Sequence, residues 1–369
     1  MSDKKFTNRY GFSTKIEEFI AKNNEHWPKK DHRVSVTTLT DTTKSAVLKG
    51  KHGDEIVTDI SEYFARIFGS GVHRLYEDSH VSGLLQECSI QRDVDVVTGP
   101  GTTEKWTISG RFDELVYNDG KSDCIRLGEF KTSSVWKYVK QEFVDYIRQL
   151  SIYRWMLTDC ILTVPMMEWN LKNEEIQRNP IFKFFELLSS HEIMGVKFHV
   201  QIPAESTADL SLFFQDWSKK DARSKEGYPR FQLVESKLTL LDTEHARDWA
   251  MAKLQFYVEG LSKADDETEE CSKDDRYQDP DIWAIYKVQK NGNTNQRATA
   301  LRDSLKAAGE YIGVADPALD TKIKTDSGDW LIQLRPSTPK KCISYCSVRH
   351  YCHFGRDLKE EGEEDEKED

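Results

Sequence analysis

The chain reads as an α/β protein, and three observations lead there. Residues 110–157 read strand, turn, strand, loop and helix in succession. Helical periodicity recurs on either side of that stretch, in 59–67 and 243–260. β-patterned runs recur at 196–202, 283–288 and 330–334. A length of 369 residues suits one elaborated domain or two modest ones. No apolar run approaches the roughly 18 residues that cross a bilayer, so no membrane partner is expected. The first ten residues, MSDKKFTNRY, are polar and lack the apolar segment of a signal peptide; a cytoplasmic location is the expectation.

Taken in order, residues 1–33 are polar and read as an accessory arm. A short amphipathic helix in 15–24 sets Ile16, Phe19 and Ile20 on one face. Residues 34–205 form the main body. Its first run, VSVTTLT at 34–40, is β-like, and Asp41 and Thr42 mark a helix start. Residues 59–67 carry Ile60, Tyr63, Phe64 and Ile67 at helical spacing; Gly69 and Gly71 interrupt the pattern and 72–77 restarts it. Residues 84–97 lead into the first sheet strand, and Glu87 there reads as a solvated helix residue ahead of the alternative that it approaches the site as an extra acid. Residues 106–117 form the strand of Asp113. Asn118, Asp119 and Gly120 supply turn chemistry, and 124–132 returns with Glu129 and Lys131 at i and i+2. Those two side chains share one face of the strand and Phe130 takes the other.

Residues 133–139 read as a loop. Trp136 or Tyr138 could stack on a base there, and packing onto the sheet has equal weight. Residues 141–157 form the most regular helix, with Phe143, Tyr146, Ile147, Leu150 and Leu157 as its buried stripe and Gln149 and Tyr153 one turn apart beside it. Residues 158–195 read as an insertion with a helix around 181–191. Residues 206–354 form a distal helical and hairpin module. It contains an aromatic run (213–217), a basic stretch (219–225), a hairpin around Asn291-Gly292 and a helix at 298–312. The tail, 355–369, reads as disordered: its last thirteen residues hold nine acids and two lysines, which accounts for −7 of the net charge of −11. The mildly acidic remainder argues against a general DNA-coating protein.

An acid on one strand, with an acid and a lysine on the next, suits a hard divalent cation beside a phosphate. Fifteen residues separate Asp113 from Glu129-Phe130-Lys131. A helix with Gln149 and Tyr153 follows, and GSGVHRLYE with His73 precedes. Together these resemble the PD-(D/E)XK nuclease superfamily, specifically the RecB-like branch, including phage-encoded and CRISPR-associated exonucleases with a C-terminal Cys cluster. The stretch DWSKKDARSKEGYP resembles phage-encoded members. The resemblance covers roughly 34–354. It implies a restriction-endonuclease-like central mixed sheet flanked by helices and metal-dependent hydrolysis of DNA phosphodiesters. It also makes His73, Asp113, Glu129 and the Phe130 carbonyl ligands of Mg²⁺ or Mn²⁺. By itself His73 would read as a packing residue. Lys131 would then orient water and stabilise charge, with Gln149 and Tyr153 lining the active site. The implied role is an exonuclease in recombination, replication or repair of a phage or mobile element, acting on single-stranded DNA or ends. No GxxxxGK[ST] is present, so a helicase or recombination protein would be a separate partner. A second reading is a nuclease-fold DNA-binding or partner subunit with little catalysis. A third is an acidic DNA mimic acting through the tail.

Cys342, Cys346 and Cys352 crowd into eleven residues of a chain with seven cysteines, the density of a thiolate site. The resemblance adds Cys271 as fourth ligand of a structural 4Fe–4S cluster or Zn²⁺, with His350 and His353 as fallbacks. Cys88, Cys124 and Cys160 read as core residues.

Overall fold

The structure, a computed structural model, describes residues 6–23, 31–79, 81–117, 124–158, 161–178, 186–190, 193–199, 204–218 and 226–358. The 118–120 turn, Cys160, the basic 219–225 stretch and the tail beyond Leu358 lie outside them. The chain divides into two compact units, 1–264 and 265–369.

In the first unit the chain begins with β1 (Phe6–Thr7) and α1 (Thr14–Asn23). It continues through β2 (Arg33–Ser35), α2 (Val36–Thr40), α3 (Thr43–His52), β3 (Thr58–Asp59) and α4 (Tyr63–Glu77). The long antiparallel pair β4 (Leu84–Gly99) and β5 (Thr102–Val116) follows, then β6 (Ile125–Ser133), α5 (Val135–Val139) and α6 (Val144–Leu157). β7 (Ile161–Pro165), α7 (Met166–Arg178), β8 (Glu186–Ser190), β9 (Ile193–His199), β10 (Ala204–Phe214), β11 (Leu233–Thr239) and α8 (Thr243–Ser262) complete it. Nine strands among the described residues form one mixed sheet in the order β11-β10-β6-β5-β4-β7-β9-β8, with β2 also on β5. The α/β class with a mixed sheet flanked by helices is what the sequence predicts.

The periodicities explain where the helices sit. On β6, Ile125, Leu127 and Glu129 alternate with Gly128 and Phe130. The odd side is covered by α6, whose Leu150, Tyr153 and Leu157 are buried, and α6 packs on α8. The even side meets α4, where Tyr76 stacks on Phe130 at 4.9 Å between centroids. α4 runs unbroken through Gly69 and Gly71, against the expected interruption. A Cβ on Gly69 would lie 2.9 Å from Thr132 Oγ1, so this glycine permits close helix–strand approach instead of ending the helix.

Several expected elements differ. The first-unit sheet continues past residue 205, because β10 pairs parallel with β6 along the row of Glu129 and Lys131. The unit boundary therefore falls at 264/265 and not at 205/206. The 158–195 stretch adds strands to the same sheet: β7 pairs with Ser89–Gln91 of β4, and β9 pairs with β7 and β8. Residues 186–190, expected helical, are strand, because cross-strand partners override local preference. The helix lies earlier, as α7, docked by the buried Lys172–Glu168 pair at 3.1 Å, with Lys172 also donating to the Leu84 carbonyl. The β-like run 34–40 turns helical after Ser35, whose hydroxyl caps Thr38 N–H. Residues 135–139, expected as a loop, form a helical turn capped by Ser134. The N-terminal arm is docked: β1 pairs with β3, and Ile20 is buried with Ile60 and Tyr63.

The second unit contains β12 (Ile282–Val288), β13 (Ala300–Arg302), α9 (Leu305–Ile312), β14 (Lys322–Thr325) and β15 (Gly328–Arg335), then the short helices α10 (Lys340–Ser344) and α11 (His353–Arg356). The strands form an antiparallel sheet in the order β13-β12-β15-β14. Ile285, Ala308, Ile312, Trp330 and Ile332 make its core. The helix expected over 298–312 starts only at Leu305, because Ser304 caps it and 300–302 pair with β12.

One glycine tests the packing of the first unit. A Cβ on Gly110 would lie 2.4 Å from the Tyr153 ring. Gly110→Ala is expected to destabilise the protein by about 1–3 kcal/mol in urea unfolding, as overpacking does.

Candidate active site

The site lies where β5 has no strand along part of one edge. Residues Thr107–Ser109 of β5 pair with β2, and Glu114–Val116 pair with β6. Residues 110–113 lie between these two partners. Here β6 parts from β5 and continues beside β10. The inward-facing pattern also changes at this point. Trp106, Ile108 and Phe112 are buried before it, and Leu115 and Tyr117 after it. On the partner strand, Leu85 precedes the change and Cys88 and Ile90 follow it. Gln86 opposes Glu114 and Cys88 opposes Phe112, and Glu87 between them has φ +55°. The irregular pair is therefore Glu87 and Asp113.

Side chains close the gap. Asp113 Oδ2 accepts from the Phe130 N–H at 2.7 Å. The Tyr153 hydroxyl donates to the Arg111 carbonyl at 3.1 Å. Gln149 Nε2 donates to Glu129 Oε1 at 2.9 Å and contacts the Tyr153 hydroxyl at 3.3 Å. Lys131 forms an ion pair with the same Glu129 oxygen. His73 Nε2 stands 3.8 Å from Asp113 Oδ2, its ring edge-on to Phe130. The structure thus brings together His73, Asp113, Glu129, Phe130, Lys131, Gln149 and Tyr153. Tyr153 is 1% exposed and its hydroxyl is committed to the backbone, so it is a positioning residue here. Gln149 likewise holds the rotamer of Glu129.

The electrostatics follow from burial. It pushes the Glu129 carboxyl up to about 7, reinforced by the Asp113 charge and opposed by Lys131. Asp113 rises to about 6 for the same reason, against Lys131 and the Phe130 N–H. Burial works against the Lys131 ammonium, but the Glu129 and Asp113 carboxylates outweigh it and hold the lysine above its ordinary value. His73 is lowered by burial and by Lys131, which favours the neutral imidazole a metal needs. Glu129 Oε2 is buried without a hydrogen-bond partner. A buried carboxylate oxygen without a donor is costly unless a cation meets it. The donor set of two carboxylates, a carbonyl and an imidazole fits Mg²⁺ or Mn²⁺.

The sequence reading missed part of the surroundings. Glu87 is not a solvated helix residue: it lies on β4, half-buried, 2.6 Å from Arg111. Its carboxyl is pushed up to about 8, by burial first and also by a hydrogen bond with Glu77. His73, Glu77 and Glu87 present ligand atoms within 4.8 Å of one another. The signal for Glu77 was its i+4 spacing from His73 on one helix. Trp136 and Tyr138 pack against the core, with Tyr138 on Phe143 and Phe214, and the packing alternative holds for both.

No protein-family model matches the chain, and no curated protein matches it. A solved structure described as "Crystal structure of SSO0001" overlaps 65% of this chain and 83% of its own, at 14% identity and a TM-score of 0.37. That overlap is too loose to identify a shared fold.

In the second unit, Cys271 precedes β12, while Cys342 lies on α10 and Cys346 and Cys352 between α10 and α11. Burial pushes the Cys342 thiol up to about 11, and Cys346, Cys271 and Cys352 add to the rise. Arg276 fastens the segments together. Its Nε donates to the Cys271 carbonyl at 2.7 Å, its backbone carbonyl accepts from Lys341 N–H, and its guanidinium lies 3.8 Å from the Phe354 ring centroid. His353 Nε2 is engaged by Glu270 at 2.7 Å. Cys88 is fully buried in the core, as expected.

Glu129 predicts a pH signature. The unfolded chain releases its proton near 4.5 and the folded chain near 7. Between those values the folded state binds more protons, so its stability falls as pH rises. Metal-free protein is therefore expected to lose thermal stability from pH 5 to 7.5. Glu129→Gln should flatten that slope, and added Mn²⁺ should raise Tm more at pH 7.5 than at pH 5, as scanning calorimetry would show.

Proposed function

We propose that the chain is a metal-dependent deoxyribonuclease that hydrolyses phosphodiester bonds, with exonuclease action the mode the sequence resemblance implies. The observation that carries this reading is the meeting of Asp113, Glu129 and Lys131 at the strand gap, with Glu129 Oε2 buried and unpartnered. Asp113, Glu129, the Phe130 carbonyl and His73 would hold Mg²⁺ or Mn²⁺. Bound there, the cation supplies Lewis-acid polarisation of a phosphoryl oxygen and acidifies a water.

The chain's own residues do the rest. Lys131 is held as an ammonium by two carboxylates, so it stabilises the negative charge that develops on the phosphate and orients the attacking water. Gln149 fixes Glu129, and Tyr153 fixes the backbone that precedes Asp113. No side chain needs to act as nucleophile. In the second unit, Cys271, Cys342, Cys346 and Cys352 would hold Zn²⁺ or a 4Fe–4S cluster that secures the C-terminal segment.

Digestion of end-labelled single- and double-stranded DNA with Mn²⁺, Mg²⁺ or EDTA tests the reaction. Cleavage that needs the metal is expected, abolished in Glu129→Ala. Lys131→Ala should lower the rate about 100- to 1000-fold while DNA binding in EDTA is retained. Absence of cleavage by folded protein with either metal would leave the partner-subunit reading. For the second unit, elemental analysis of purified protein should find zinc or iron near one site per chain. Cys342→Ser should lose that metal and its thermal protection.

A further inference from the structure

We propose that Phe68, Phe213, Phe231 and Leu233, with Arg230, form a platform that stacks the bases of single-stranded nucleic acid on the α4 face of the sheet that holds the Asp113–Glu129–Lys131 site. The proposal rests on the nuclease reading and names its substrate class. Phe68 is 45% exposed, Leu233 45% and Phe231 62%. Large apolar side chains at that exposure are ordinary singly and informative when they adjoin. These do adjoin. Phe68 of α4 contacts Phe213 at 6.1 Å between ring centroids, and Phe213 opposes Leu233 across β10 and β11. Phe231 lies just before β11, where Gln232 still exchanges hydrogen bonds with Phe214.

The patch lies on the α4 face of the sheet, opposite the face that carries Glu129 and Lys131. Phe213 pairs with Thr132, one residue beyond Lys131, and Gly69, next to Phe68, packs on Thr132. Neighbouring strands are about 4.8 Å apart, so the platform begins one strand from β6. Its charge suits a polyanion. The Arg230 guanidinium sits 5.2 Å from the Phe231 ring centroid, and both residues are exposed. Exposed rings interleaved with cations recognise unpaired bases, because every base has a stacking face and a duplex keeps its own faces covered.

The test is fluorescence anisotropy of full-length protein in EDTA, titrated into a labelled mixed-sequence single strand and into a blunt duplex. Phe68→Ala and Phe231→Ala should each weaken single-strand binding about ten-fold or more and duplex binding far less. Phe231→Trp should retain affinity, with its fluorescence quenched by the strand. Circular dichroism melting checks that the variants fold; Phe231 is exposed enough that its loss should not unfold the protein. Unchanged single-strand affinity in both alanine variants overturns the platform. So does a change in sedimentation without a change in binding, which would assign the patch to a second copy of the chain. If the protein cleaves DNA and these variants bind as wild type, the platform alone falls. If it neither cleaves nor binds nucleic acid, the nuclease reading falls with it.

Discussion

The hydrogen bond from the Phe130 N–H to the Asp113 carboxylate closes a hole in the sheet, and the candidate site depends on it. β5 has β2 along one part of an edge and β6 along another, with residues 110–113 between them. Buried backbone groups there need partners. The structure satisfies them with side chains: Asp113 for Phe130 and Tyr153 for Arg111. The same side chains thereby acquire fixed positions. Gly110 lets the Tyr153 ring approach the strand, and Gln149 passes that rigidity on to Glu129.

Holding two carboxylates in this gap is electrostatically unfavourable. Burial raises the proton affinity of both, and their mutual repulsion adds to it. Lys131 offsets the cost only in part, since its ammonium bonds one Glu129 oxygen and the other lacks a donor. The cation proposed above would supply the missing neutralisation. The Glu87–Glu77 pair beside Arg111 repeats the theme at the outer edge.

The second unit achieves order by different means. Its hydrophobic core is small, built around Ile285, Trp330 and Ile332. Its C-terminal segment is held by polar links through Arg276, Glu270 and His353. These links order the C-terminal segment without a large apolar core.

The sequence by itself determined the α/β class, the Asp113 strand, the Glu129–Lys131 strand and the Gln149–Tyr153 helix, because each depends on local period or short spacing. It also picked out His73, through a resemblance rather than through its own chemistry. What it left open depends on contacts between distant residues. The 158–195 stretch became strands only because Ser89–Gln91 offered β7 an edge. The first unit extends past residue 205 because β10 joins β6. Glu87 reached the site through a reversal of the inward-facing pattern on two paired strands at once, which no single-strand periodicity reports. Local sequence sets which face a side chain takes within an element. Only tertiary pairing decides which elements share an edge, where that edge is left open, and which side chains must fill it.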